Sequence, residues 1–355
     1  MMFEDLFMNV SFPPHLSRHR RVRCLVGITI VLMAWLTLSS AIAFRLTRRP
    51  RAWFPEPAPH VAWGSIQDHR LRTRDGQDIG AWFVEGEDKD NAPQILLLHG
   101  NKGSRANSLK RAEFLASAGY PVLMISLRAH GDSTGDFNDI GYSARHDVVA
   151  AVEFLEQKHP GRSIVVMGVS LGSAAAIFAS RELGRRVHGY ILESPYQDLK
   201  TAVWNRTQTY LPPVLAQVAY AGLRAVGPFF LPNLEEIAPL RAIDGIPSDV
   251  PVLIMAGLAD RVARPDEAKA LFDRVASHGE LAFFPGAEHH NLFPSAPDRY
   301  QRMVLDLCRA STRRLGRQRT KVSCRLPGTN RRIEGSGKRD RSAIGNMGKQ
   351  GSHLT

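Results

Sequence analysis

The amino-acid sequence predicts an α/β protein with a mostly parallel central sheet and helices on both of its faces. Between residues 65 and 310, short apolar runs rich in β-branched residues alternate with longer segments that suit helices. Strands and helices that alternate in this way form parallel sheets with both faces covered. A Gly-rich turn at residues 168–172 joins one of these runs to a helix. A chain of 355 residues, 44% of them hydrophobic, is long enough to bury one large core.

The first element is a predicted membrane anchor. Residues 24–44 carry no charge, and a helix of this length, rising about 1.5 Å per residue, crosses a hydrocarbon layer of roughly 30 Å. A basic N-terminal segment, residues 1–23, precedes it, and we expect a single-pass membrane protein. Arginines lie on both flanks, so the positive-inside rule does not determine its orientation. The alternative is a cleaved signal peptide over residues 1–43 that ends at Ala41-x-Ala43, which would make the mature protein secreted or periplasmic.

A Pro-rich linker, residues 45–64, precedes the domain that carries the alternation, residues 65–310. Its first two strands meet at Asp75-Gly76, a hairpin signal, so the sheet is expected to start antiparallel. The predicted strands cover residues 65–73, 78–84, 94–98, 121–126, 163–167, 188–193, 250–255 and 280–284. The predicted helices cover residues 105–118, 141–158, 173–181, 265–277 and 294–310.

Two segments depart from the alternation. Residues 196–247 are rich in aromatic residues and prolines, and we expect them to form a small cap or insertion over the site. The alternative for this segment is one crossover helix with long loops. Residues 311–355 are rich in Arg, Gly and Ser with little periodic apolar content, which predicts a basic, disordered tail.

Charge and cysteine content exclude two classes of function. The net charge of +12 is concentrated at the two ends of the chain, and residues 61–310 carry a small negative charge. We therefore expect no specific nucleic-acid partner for the domain. The three cysteines, Cys24, Cys308 and Cys324, form no C-x-x-C pair, so the sequence predicts neither a disulfide framework nor a cysteine metal site.

The Gly-rich turn presents a candidate nucleophile. Gly168 and Gly172 flank Ser170 in the pattern G-x-S-x-G, between a predicted strand and a predicted helix. Glycines let the strand and the helix crowd together and let Ser170 adopt a strained conformation that exposes its hydroxyl. The free N–H groups and the positive partial charge of the helix N-terminus suit an anion that forms beside this hydroxyl.

A serine hydroxyl needs a base and an orienting acid, and two later strand ends supply candidates. Asp260 follows a strand and a Gly, and His289 follows the last predicted strand. The carboxyl ends of parallel strands lie at one edge of a sheet, so these side chains are expected to meet there. His290 is the alternative base, and Glu193 is the alternative acid. No acidic or cysteine cluster completes a metal site with the two histidines.

At this point the sequence resembles the α/β-hydrolase superfamily, in which nucleophile, acid and histidine follow in this order. It is most similar to bacterial membrane-anchored serine hydrolases of the serine aminopeptidase-like and prolyl-oligopeptidase-like esterase group. The resemblance implies an α/β-hydrolase fold after a single N-terminal transmembrane helix. It further implies an oxyanion hole from the backbone N–H groups of Asn101, in the segment Leu98-His99-Gly100-Asn101, and of Leu171.

The expected function is hydrolysis of an ester, thioester or amide bond through an acyl-enzyme. A carboxylic ester or a thioester is favoured over a peptide, and no cofactor or metal is required. The expected partners are a small-molecule or lipid-like acyl substrate and the membrane, through the N-terminal helix. The alternatives are a membrane-tethered binding protein whose catalytic site has lapsed, and an acyltransferase.

Overall fold

The computed structural model describes residues 18–49, 55–87 and 92–323, with side chains up to residue 313 in the last helix. The remaining parts of the predicted N-terminal segment, linker and tail, which are residues 1–17, 50–54 and 324–355, lie outside the described residues. Contacts divide the chain into residues 1–316 and residues 317–355. Every interaction below lies within the first unit.

The strands of the described residues form one sheet, in the order β1-β2-β4-β3-β5-β6-β7-β8. Strands β1 and β2 form the predicted hairpin, and β2 pairs antiparallel with β4. Every later pairing is parallel, which confirms the predicted fold class. The strands are β1 (Ile66–Arg72), β2 (Asp78–Val84), β3 (Gln94–Leu98), β4 (Val122–Ile125), β5 (Ile164–Val169), β6 (Gly189–Glu193), β7 (Val252–Gly257) and β8 (Gly279–Phe284).

Helices cover both faces of the sheet, because side chains alternate between the two faces along each strand. Leu96 and Leu98 of β3 face one core, and Ile95 and Leu97 face the other. The helices are α1 (Arg18–Thr47), α2 (Leu109–Ser117), α3 (Arg145–Lys158), α4 (Leu171–Leu183), α5 (Leu199–Tyr210), α6 (Pro213–Phe230), α7 (Pro239–Ala242), α8 (Pro265–Val275), α9 (Leu292–Ser295) and α10 (Pro297–Ser323). Helices α3, α4 and α8 contribute to the first core, and α2 and α10 contribute to the second.

Three helix boundaries differ clearly from their predictions. Helix α2 begins at Leu109, four residues after the predicted start, because Arg105–Ser108 form a 3₁₀ turn. Helix α3 begins at Arg145, four residues after the predicted start, because Gly141 has a φ of +102° and the chain turns there. Helix α10 continues to Ser323, into the segment predicted to be disordered from residue 311. Ser311 is buried and donates to the Leu307 carbonyl, so the packed part of the helix extends into the predicted tail.

The N-terminal helix α1 is longer than the predicted anchor and is fixed to the domain at its end. Its length and composition suit a membrane span, and a signal sequence satisfies the same criteria. The Asn138 N–H donates to the Thr47 carbonyl at 2.8 Å, and the Arg49 N–H donates to the Asp136 carbonyl at 2.9 Å. Arg48 adds an ion pair with Asp136. The last turn of α1 therefore docks on the loop that follows β4.

Residues 196–247 contain helices α5, α6 and α7, between β6 and β7. Trp204 of α5 and Tyr220 of α6 pack edge to face, with ring centroids 5.0 Å apart. Helix α6 also lies along α1, where the Trp35 indole N–H donates to the Val218 carbonyl at 3.2 Å. The segment is thus a helical insertion between two strands, built around an α5–α6 pair.

Close approach of backbones fixes the turn between β5 and α4. A Cβ on Gly172 would lie 2.5 Å from the Leu98 carbonyl oxygen, and a Cβ on Gly168 would lie 2.4 Å from the Ser173 nitrogen. Both contacts are with backbone, which cannot move aside as a side chain can. Strand β5, strand β3 and helix α4 can therefore meet here only because both positions are glycine.

We predict that Gly172→Ala lowers the free energy of unfolding by at least about 2 kcal/mol, because the added methyl overpacks a backbone contact. Thermal unfolding of the full chain in detergent micelles measures the change. Gly100→Ala is the matched control, since its added Cβ would meet atoms only at 3.7 Å and beyond, an ordinary contact. Equal stabilities of the two variants would contradict the role assigned to the crowded turn.

Candidate functional site

Ser170 occupies the tight turn between β5 and α4. It has φ +50° and ψ −106°, a conformation that L residues rarely adopt. Its N–H donates to the Glu193 carbonyl at 2.8 Å, and the Ser173 hydroxyl donates to the same carbonyl at 2.9 Å. These bonds tie the turn to the end of β6, so the surrounding structure holds the strained residue in place.

His289 and Asp260 lie on the loops after β8 and β7 and complete a hydrogen-bonded chain with Ser170. His289 Nε2 lies 2.9 Å from Ser170 Oγ, and His289 Nδ1 lies 2.7 Å from Asp260 Oδ2. All three side chains are buried. The structure therefore brings together the three residues that the sequence nominated, in the order serine, histidine, aspartate.

The hydrogen bonds of Asp260 fix the tautomer of His289. The other carboxylate oxygen of Asp260 accepts from the N–H groups of Val262 and Ala263, at 2.8 and 2.9 Å. An ionised carboxylate only accepts, so His289 Nδ1 carries the proton that faces it. His289 Nε2 then presents its lone pair to the Ser170 hydroxyl, which is the arrangement that a general base requires.

The loops after β7 and β8 are held together at short range. A Cβ on Gly257 would lie 2.2 Å from the Ala287 carbonyl oxygen, and the Ala259 N–H donates to that oxygen at 2.9 Å. Leu258 donates in the same way to the Phe284 carbonyl at 3.0 Å. The loops that carry Asp260 and His289 are therefore joined by direct backbone contacts.

The two alternative residues lie outside this chain of hydrogen bonds. His290 is exposed, and its ring packs edge to face against His289 with centroids 4.4 Å apart. Burial of part of the ring lowers the pKa of His290, and the neighbouring His289 lowers it further. Glu193 is fully buried and binds Arg111, with a nitrogen–oxygen distance of 2.7 Å, and the Tyr300 hydroxyl at 2.6 Å. Its carboxylate is thus paired with other groups and does not orient the histidine.

The loop after β3, which carries the predicted oxyanion donor, lies against Ser170. A Cβ on Gly100 would lie 3.8 Å from the Ser170 Cβ. The side-chain oxygen of Asn101 lies 3.0 Å from Asn138 Nδ2 and 3.3 Å from His130 Nε2. Asn138 and His130 therefore both hold the side chain of Asn101, which follows Gly100 in the chain.

His99 orients the same loop through a defined tautomer. The Leu127 N–H donates to His99 Nε2 at 2.9 Å, so Nδ1 carries the proton and donates to the Gly100 carbonyl at 2.7 Å. This bond directs the Gly100 carbonyl toward His99. Because a peptide group is planar and trans, the N–H of Asn101 points the opposite way from that carbonyl. Burial, with a further contribution from His130, lowers the pKa of His99 to about 3, so the ring is neutral at physiological pH.

Sequence reasoning missed two supporting contacts. The Arg111–Glu193–Tyr300 cluster joins α2, β6 and α10 beneath the nucleophile turn. Burial alone would lower the pKa of Arg111, but Glu193 and Tyr300 beside it raise that pKa. Asn138, which supports Asn101, lies in an irregular loop. Neither contact has a local sequence signal, because each joins segments that are distant along the chain.

An apolar cavity of about 110 Å³ lies between the end of α1 and the helical insertion. Its walls include Leu46 of α1, Val203 of α5 and Leu223 of α6. Ile140 also lines it, and a Cβ on the next residue, Gly141, would lie 3.0 Å from the Leu171 carbonyl oxygen. One residue of the cavity wall, Ile140, is thus the chain neighbour of a residue that contacts the start of α4.

Among the described residues, no group of three or more His, Cys, Asp or Glu side chains could hold a metal ion.

Comparison with known proteins agrees with this architecture. Residues 93–235 match the family described as alpha/beta hydrolase fold. An uncharacterised protein of Mycobacterium tuberculosis is 28% identical over 280 residues, which are 77% of this chain and 90% of that protein. The lysophosphatidylserine lipase ABHD12 of Danio rerio is 29% identical over 168 residues, 40% of this chain and 44% of that protein. An esterase of Pyrococcus furiosus superposes with a TM-score of 0.62 at 22% identity and covers 75% of this chain and 98% of its own.

We predict that the neutral state of His99 makes the fold sensitive to acid. The unfolded histidine has a pKa near 6.5 and the folded one near 3, so the unfolded chain binds the extra proton between these values. Stability should therefore fall by about 1.4 kcal/mol per pH unit as the pH drops below about 6.5. This acid-dependent loss of stability should be absent from the His99→Gln variant, because glutamine binds no proton in this range and can still donate and accept hydrogen bonds.

Chemical denaturation of the full chain in detergent at several pH values from 7 down to about 4.5 measures this slope. The matched control is His60→Gln, since His60 is exposed. An acid dependence in His99→Gln equal to that of the wild type would contradict the assignment.

Proposed function

The chain belongs to the α/β-hydrolase superfamily, and from that premise we propose that it is a serine hydrolase that cleaves a carboxylic ester or thioester. The observation that carries the proposal is the hydrogen-bonded chain from Ser170 through His289 to Asp260. The esterase and lipase names of the similar proteins support hydrolysis as the reaction class. Ser170 is the nucleophile, His289 the general base and Asp260 the orienting acid.

In the first step, Ser170 Oγ attacks the carbonyl carbon of the substrate while His289 Nε2 takes the hydroxyl proton. Asp260 stabilises the imidazolium that forms, because its carboxylate already accepts from Nδ1. The carbonyl double bond becomes a single bond, and its oxygen takes the negative charge. Collapse of this intermediate expels the alcohol or thiol, which receives the proton from His289, and leaves an acyl-serine.

The N–H groups of Asn101 and Leu171 are the proposed donors to the oxyanion. Leu171 begins α4, so its N–H belongs to a helix N-terminus with a positive partial charge. The bond from His99 to the Gly100 carbonyl orients the Asn101 peptide for the same task. Donors placed in this way are worth about 3 kcal/mol each in the transition state.

In the second step, water replaces the departed alcohol or thiol and attacks the acyl-serine. His289 removes a proton from this water and returns it to Ser170 Oγ when the second tetrahedral intermediate collapses. The carboxylic acid leaves, and the hydroxyl is restored. Every proton moves between His289, Ser170, the substrate and water, so this cycle needs no metal ion and no organic cofactor.

The proposed substrate carries an apolar acyl chain. The cavity between α1, α5 and α6 has almost wholly apolar walls, and Ile140 in its wall directly precedes Gly141, which approaches the Leu171 carbonyl oxygen. Such a cavity suits a hydrocarbon chain and offers little to a peptide, which needs partners for its backbone N–H and C=O groups. A similar protein bears the name lysophosphatidylserine lipase, which agrees with a lipid-like acyl substrate.

We predict that a fluorophosphonate probe labels the full chain in membranes, and that Ser170→Ala and His289→Ala abolish the labelling. Asp260→Asn should slow it by about 10⁴-fold, because the amide favours the wrong tautomer of His289. His290→Ala is the matched control and should label at the wild-type rate. A folded wild-type chain that never labels would instead support a lapsed site, and loss of labelling in His290→Ala alone would move the base to that residue.

We predict that kcat/KM rises from acetyl to decanoyl esters of p-nitrophenol, and that Val203→Phe reverses the rise by filling the cavity. The kcat/KM of the variant on the decanoyl ester should fall about tenfold or more, since the loss of pocket contacts to one or two methylenes lowers kcat/KM by this much. Its rate on the acetyl ester should remain at the wild-type value. An equal loss on both esters would exclude this cavity as the acyl site.

A further inference from the structure

One exposed face of helix α6 is apolar along its whole length. Val214, Val218, Ala221, Ala225 and Phe229 follow one another at spacings of three or four residues, so they lie on one side of the helix. All five are exposed, with Val214 at 73% and Phe229 at 86%. We call this face the α6 stripe. Tyr210 and Leu211, at the turn between α5 and α6, are also exposed and continue it.

The α6 stripe lies directly beside α1. The Trp35 indole binds the Val218 carbonyl, and a Cβ on Gly222 would lie 2.1 Å from Ser39 Oγ. A step of four residues along α1, from Trp35 to Ser39, corresponds to a step of four along α6, from Val218 to Gly222. Helix α6 therefore runs parallel to α1 in this region. The exposed apolar surface of α1, the candidate membrane span, is therefore continuous with the α6 stripe.

The uncharged segments of α1 and α6 end at a similar height along the two helix axes. No charged residue occurs in the chain between Arg206 and Arg224, and the uncharged run of α1 ends at Arg45. Because Gly222 lies beside Ser39, Arg224 is level with residue 41, about one helical turn from Arg45. Both arginines are exposed. Arginines at a common level mark a boundary between hydrocarbon and water, where long basic side chains reach the headgroups.

From this match we infer that the α6 stripe is embedded in the same membrane layer as α1. The occupant of the stripe is a lipid bilayer, whose acyl chains cover the exposed valines of α6, while Phe229 lies beyond Arg224 at the level of the headgroups. Hydrogen bonds within α6 satisfy most of its backbone groups, as hydrocarbon requires. The inference concerns where the helical insertion lies, so it does not depend on the chemistry at Ser170.

The test places single cysteines on the full chain, in a background with Cys24, Cys308 and Cys324 replaced by alanine. Val214→Cys, Val218→Cys and Phe229→Cys each carry a polarity-sensitive dye, and the protein is reconstituted in phosphatidylcholine vesicles. Gln157→Cys is the matched control, because this exposed residue near the end of α3 lies at the opposite edge of the sheet from the site. All four positions are exposed, so labelling leaves the core intact, and circular dichroism checks the fold.

Lipids with a nitroxide on the acyl chain should quench the dyes at Val214 and Val218 at least about twofold and leave the dye at Gln157 unchanged. Nitroxides near the headgroup should quench the dye at Phe229 more than the dye at Val214, because Phe229 lies at the end of α6 beyond Arg224, which marks the headgroup level. Free access of a water-soluble quencher to all three α6 positions would overturn the inference. A second result would also overturn the inference: dyes that are shielded from the water-soluble quencher only at high protein density and are not quenched by lipid nitroxides. That result would assign the stripe to a contact with a second copy of the chain.

Discussion

The close approach of β5, α4 and β3 at Gly168 and Gly172 is the constraint on which the candidate site depends. Without side chains at these positions, strand and helix meet within backbone contact, and Ser170 is forced into a positive φ. The strained residue then projects its hydroxyl toward the loops that follow β7 and β8. The N-terminus of α4 is brought next to the same hydroxyl, so one packing contact sets both the position of Ser170 and the positive partial charge beside it.

The remaining parts of the site are arranged so that few of them can move alone. Gly257 and Ala287 join the loop that carries Asp260 to the loop that carries His289, and backbone N–H groups donate to the Asp260 oxygen that does not face His289. On the other side, neutral His99 fixes the Gly100 carbonyl, and Asn138 fixes the Asn101 side chain. Rigid placement of this kind lowers the reorganisation that a reaction requires, which is where much of the advantage of a preorganised site lies.

Much of this arrangement was predictable from sequence, for reasons that are local. The runs that became β2 and β3 have strong apolar and β-branched patterns, and their predicted bounds match the structure. Gly168, Ser170 and Gly172 lie within five residues, and Asp260 and His289 each follow a strand. The ion pair of Arg111 with Glu193 and the support of Asn101 by Asn138 were not predictable, because they join segments far apart in the chain. The start of α3 was missed since the turn at Gly141 is set by its contact with Leu171, a tertiary effect.

The docking of the last turn of α1 has a consequence for how the molecule meets its substrate. The Thr47 carbonyl accepts from the Asn138 N–H, and the Asn138 side chain donates to Asn101 in the loop that lies against Ser170. The end of α1 is therefore joined to the domain by direct hydrogen bonds, which hold the domain in one orientation relative to the helix. With α1 in a bilayer, the mouth of the site keeps a constant bearing to the membrane plane while the molecule diffuses laterally. For a substrate dissolved in the same bilayer, the encounter would be a two-dimensional search in which the orientation of the protein is fixed before contact.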